Sequence, residues 1–77
     1  MIKQEEVISA IIRVIPDAKV TVEDLNGGGD HFQVNVVSSA FEGVSLIKQH
    51  QMIYGALSNE MANESIHALA LNTSTPN

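Results

Sequence analysis

The stretch from Phe41 to Met61, FEGVSLIKQHQMIYGALSNEM, limits what the rest of the chain can be. Leu46, His50, Ile53, Leu57 and Met61 recur at steps of three or four, with Ile47 and Tyr54 alongside, which draws one apolar stripe along a helix. Ser45 is a good N-cap, so the expected helix runs from Leu46 to about Met61. A helix with one apolar face needs a surface to lie on. Two β-branched runs precede it and the short apolar run Ile66 to Leu71 follows it, so it reads as the crossover helix closing a small sheet. Gly55 within it costs about 1 kcal/mol of helix propensity, and a close approach by another backbone would account for it.

The flanking segments agree with that sheet. Lys3 to Ile15 fits a helix burying Val7, Ile11 and Ile15, with Glu5 and Glu6 in its first turn where the macrodipole favours negative charge; Pro16 and Asp17 end it. Ala18 to Leu25 alternates, with Val20 and Val22 on one side, and His31 to Ser38 alternates with Phe32, Val34 and Val36 inward. The turn-prone residues Asn26 to Asp30 between them make a hairpin. Ser39 to Glu42 has capping-box spacing, which predicts one helical turn before Gly43 breaks it, with Phe41 tucked under the main helix. Strand, helix, strand is the pattern of a parallel crossover, placing the third strand beside the second with both helices on one sheet face. The expected fold class is α+β: a small αββαβ domain over residues 1–72 with a three-stranded mixed sheet, then an unordered polar tail over 73–77.

At 77 residues without a cysteine, such a domain has neither disulfides nor thiolate metal sites and must stand on packing. No apolar run approaches the roughly 20 residues needed to span a bilayer, and the N-terminal stretch carries acidic residues where a signal peptide carries basic ones. A cytoplasmic soluble domain, monomeric or homodimeric when alone, is expected. Nine acidic against four basic residues, a net charge of -5, argues against strong general nucleic-acid binding.

Chemistry rests on three histidines. His67 opens the last apolar run, either as a partly buried ring bonded to a backbone carbonyl or as a metal ligand. His31 follows the glycine loop out of phase with Phe32 and points away from the core, as a solvated loop-end residue or as a ligand. His50 lies on the helix stripe and closes an edge of the core. Gly27, Gly28 and Gly29 lack the spacing and the Lys-Ser or Lys-Thr ending of a phosphate loop, and they join two strands rather than opening a helix. No nucleophile–base or paired-carboxylate arrangement stands out, so no enzyme is expected.

The loop Gly27-Gly28-Gly29-Asp30-His31-Phe32, the strand end Val36-Val37-Ser38, the turn Phe41-Glu42-Gly43, the segment Lys48 to Tyr54, and Ile66 to Leu71 with its Thr73-Ser74-Thr75-Pro76 tail together resemble the BolA-like proteins over nearly the whole chain. The resemblance implies a fold similar to class II KH domains, without catalytic activity. It implies pairing with a monothiol glutaredoxin around a shared [2Fe-2S] cluster: the glutaredoxin cysteine and glutathione on one side, a C-terminal histidine and a loop cysteine or histidine from the BolA-like partner on the other. No cofactor is then expected in the isolated protein. His67 matches the C-terminal histidine. The loop lacks the cysteine many relatives carry, leaving His31, Asp30 or no residue as second ligand. A second family role, transcriptional regulation, makes Lys48, Gln49 and Gln51 candidate contacts for DNA, weakly bound, or for a partner; only Lys48 among them is basic. Phe41 and Gly43 are its structural motif.

Overall fold

The computed structural model describes residues 2–76. Helix α1 spans Gln4–Val14, strands β1 and β2 span Lys19–Asp24 and His31–Val37, and a single 3₁₀ turn covers Ser39–Phe41. Helices α2 and α3 follow at Leu46–Ala56 and Ser58–Ala62, and strand β3 spans Ala68–Ser74. The order in the sheet is β1-β2-β3. Strand β1 pairs antiparallel with β2, from Lys19 opposite Val37 to Asp24 opposite Phe32, while β3 runs parallel to β2, from His31 opposite Ala68 to Val37 opposite Ser74.

Central β2 buries Phe32, Val34 and Val36 completely on the helix side, against Val7, Ile11 and Ile15 from the first helical segment and Ile53 and Leu57 from the second. Edge strand β1 only half-buries Val20 and Val22. The predicted αββαβ arrangement, the parallel crossover and both helices on one face are thus present. Phe41 is fully buried, as its place before the main helix predicted, and Gly43 turns the chain at a φ of 72° that favours glycine. Ser45 caps α2 by accepting the Lys48 amide.

Several expectations need correction. The main helix is not continuous to Met61: Leu57 leaves helical geometry (φ -107°, ψ 18°) with its side chain fully buried, and α3 starts after it. Its stripe is also narrower than the periodicity suggests. Ile53 and Leu57 reach the core, but Leu46 and Ile47 are 60% and 72% exposed and Tyr54 40%. Nothing approaches within 4 Å of where a Cβ on Gly55 would stand, so no neighbouring backbone explains that glycine. Finally, the last strand begins at Ala68, not Ile66, and continues through Ser74: Thr73 pairs with Val36, and the Ser38 amide donates to the Ser74 carbonyl (3.0 Å). The segment from Asn72 to Ser74 is therefore sheet, not loose tail.

The cap before Phe41 also differs from the expected box. Ser38, not Ser39, caps the 3₁₀ turn, accepting the Ala40 amide at 3.0 Å. The Ser38 and Ser39 hydroxyls both donate to the Asp17 carboxylate (2.6 and 2.7 Å), and the Ser39 amide adds a third bond at 3.1 Å. These donors, the Ser38 hydroxyl foremost, hold the Asp17 carboxyl below its ordinary value of 3.8. Because the folded value is depressed, this stabilisation is complete above the unfolded value and is lost as pH falls through the folded one. Asp17→Ala is expected to lower the thermal midpoint at pH 7, with the gap to wild type closing as the pH drops below 3.8; thermal melts by circular dichroism at stepped pH check this. Gly55→Ala, at an open helical site, is expected to stabilise the domain by about 0.5–1 kcal/mol in urea denaturation.

Candidate metal-ligating edge

Two chain segments converge where β2 and β3 begin. Phe32 and Ile66 are both fully buried apolar residues. Each has a histidine beside it in sequence that faces the other way, so His31 and His67 come to the surface together. The Asp30 carbonyl fixes their spacing by accepting two amides, from His67 at 2.7 Å and from Ala68 at 3.1 Å. The imidazole centroids lie 5.7 Å apart, edge to face at 66°. His67 is exposed, and the His31 side chain retains 35% of its accessible surface.

The glycine loop is ordered from within. Asp24 accepts the Gly27 and Gly29 amides, each at 2.9 Å, and the Ile2 amide donates to the Gly29 carbonyl at 2.9 Å. Gly27 and Gly29 both have positive φ, 76° and 74°. Asn26 accepts the Gly28 amide through Oδ1 (2.9 Å), and its Nδ2 lies 2.6 Å from His31 Nδ1. The Asp30 carboxylate stands 4.0 Å from the same ring nitrogen.

The 5.7 Å spacing lies in the roughly 5–6 Å range for two imidazoles whose nitrogens stand about 2 Å from a common ion. A pair does not complete a metal centre. Among the described residues no three His, Cys, Asp or Glu side chains are grouped to hold an ion. His50 is half-buried on α2, consistent with the core-edge reading.

Of the candidate contacts on α2, Lys48 and Gln51 are exposed, but Gln49 is not available. Its Nε2 donates to the Val44 carbonyl (2.8 Å) and weakly to that of Phe41 (3.5 Å), while its Oε1 accepts the buried Thr73 hydroxyl at 2.6 Å. That tie between the turn, α2 and the end of β3 corrects its assignment as a contact residue. Sequence spacing does not show it, because nothing in the order of residues places Thr73 beside α2. For Asn26, an Asx residue just before a glycine run is the available signal for its loop bonds.

The sequence profile of the BolA-like protein family matches residues 8–77. The chain belongs to the BolA-like family. It is 32% identical over 72 residues to the Rickettsia prowazekii protein RP812, covering 94% of this chain and 92% of that one. It is 48% identical over 50 residues to BolA-like protein 1 of Bos taurus, a match spanning 65% of this chain but only 36% of the bovine protein. Among solved structures, a BolA homologue from Coxiella burnetii superposes with a TM-score of 0.80 at 32% identity, covering 99% of this chain and 94% of that one. The BolA domain of SufE1 from Arabidopsis thaliana gives 0.82 at 28%, covering 99% and 96%. The fold expected of the family is thereby the fold of this chain. No helix among the described residues of this BolA-like domain is long and apolar enough to cross a membrane.

Because Gln49 supports structure, Gln49→Ala is expected to cost about 1–3 kcal/mol by stranding the Thr73 hydroxyl and the Val44 carbonyl. Gln51→Ala should stay within about 0.5 kcal/mol of wild type. Urea denaturation of the two variants distinguishes the roles.

Proposed function

We propose that this BolA-like domain is a non-catalytic adaptor that docks on a monothiol glutaredoxin and contributes His67 and His31 to a shared [2Fe-2S] cluster. The observation that carries the reading is the 5.7 Å spacing of two surface imidazoles on one sheet edge. Iron–sulfur centres in which two histidines replace two cysteines on one iron are established chemistry, and the neutral ring is the ligating form. The family relationship supports the same reading, since His67 matches by position the C-terminal histidine that the resemblance implies. The occurrence of a BolA domain within SufE1 supports a role exercised alongside another protein unit.

In this reading the chain's own work is presentation. The buried Ile66 and the Asp30 carbonyl hold the backbone of His67 against the sheet, leaving its ring free. The hairpin brings His31 to the same place. A bound cluster supplies one-electron redox chemistry; this chain supplies two uncharged donors and a surface for the partner.

The DNA-binding alternative gains no support at α2. With Gln49 engaged internally, Lys48 is the one cation in that segment, on a chain of net charge -5.

Mixing the protein with a cluster-loaded monothiol glutaredoxin should change the visible absorption and circular dichroism of the cluster. His67→Ala is expected to abolish that change and His31→Ala to shift it. An unaltered spectrum with His67→Ala would refute the ligand assignment.

A further inference from the structure

Resting on the histidine-pair reading, one contact bears on how His31 becomes available. The Asn26 amide is oriented by the Gly28 N–H, which donates to Oδ1, so the group facing His31 is the Nδ2 donor. Nδ1 of His31 therefore accepts a hydrogen bond, and the proton of the neutral ring sits on Nε2. In that state neither nitrogen offers a lone pair to a metal. The Asp30 carboxylate, an acceptor, waits 4.0 Å from the same Nδ1.

We propose that Asn26 and Asp30 form a tautomer switch on His31. With Asn26 bound, the ring is Nε2–H and withheld. When Asn26 releases and Nδ1–H donates to Asp30, the Nε2 lone pair is free, and the carboxylate behind the ring orients it and raises its basicity as outer-shell carboxylates do for metal-bound histidines. The ring stays neutral throughout: one proton leaves Nε2 to solvent and one is taken up at Nδ1. His67 needs no such release, so it engages first and His31 second.

The loop is built for this exchange. A Cβ on Gly28 would lie 3.1 Å from Asp30 Oδ1 and 3.2 Å from Asn26 Oδ1, so the two competing side chains converge closely on this glycine. An open groove of about 390 Å³ between the start of α1 and Gly27 to Gly29 leaves space for the loop to shift. The Asn26–His31 bond is at the surface, where water replaces it readily.

The test uses the full chain, ¹⁵N-labelled at histidine, with Co²⁺ as the metal probe. Long-range ¹H–¹⁵N spectra of the free protein should show His31 as the Nε2–H tautomer. Asn26→Ala and Asn26→Asp should both move it towards Nδ1–H, and Asn26→Asp keeps the acceptor for Gly28 so that the loop is preserved. Co²⁺ affinity should rise in both, by about tenfold for Asn26→Asp, and fall by about tenfold in Asp30→Asn, whose free tautomer stays Nε2–H. A wild-type ring already Nδ1–H, or one that neither Asn26 variant moves, overturns the switch whatever the metal does. A tautomer that moves as expected while His67→Ala leaves Co²⁺ affinity unchanged overturns the histidine-pair reading instead.

Discussion

One backbone oxygen organises the functional edge. The Asp30 carbonyl accepts the amides of His67 and Ala68, joining the last residue of the glycine loop to the first residues of β3. A parallel pair cannot be closed by a tight turn, so the chain must travel through α2 and α3 and return with the correct register. A slip of one residue would turn His67 inward and Ile66 outward, exposing a large apolar side chain and burying an imidazole. The burial of Ile66 and Phe32 opposes that slip, so the packing that stabilises the sheet also keeps both rings outside.

The two ends of the β2–β3 pair are fastened differently. At the far end, Asp17 gathers Ser38 and Ser39, and Gln49 links Thr73 to the backbone before α2. Ser38 and Thr73 are the buried polar side chains among the described residues, and each is satisfied there. At the near end the side-chain bonds lie within the loop or at the surface, and glycine holds the positive-φ positions. One end is pinned by partly buried charge-assisted and amide bonds. The other is held by loop backbone amides bonded to Asp24 and Asn26 and by the Asp30 carbonyl.

The fold was legible because its signals were periodic. Phe32, Val34 and Val36 at period two, and Val7, Ile11 and Ile15 at helical period, faced the core as read. The readings that failed concerned residues whose role depends on distant partners. Leu46 and Ile47 match the helix stripe, but no other element among the described residues covers them and both stay exposed. Thr73 and Ser74 look like tail until β2 is seen to extend alongside them. Gln49 looks like surface until Thr73 is placed beneath it. For the site, sequence order and family resemblance named both histidines, but their spacing came only from the register of β3 on β2, and the bond from Asn26 to His31 had no periodic signature at all.

The charge of the chain bears on why imidazoles suit this edge. With a net charge of -5, the surface opposes the approach of further anions. In the proposed shared centre, an imidazole in place of a thiolate would remove one negative charge. Asp24 is spent on two loop amides, which leaves Asp30 as the carboxylate nearest the rings. In the proposed switch, that carboxylate would act on His31 without itself occupying a coordination position. Among the described residues the two imidazoles stand together without a third ligand, so in the proposed reading the remaining ligands come from the partner.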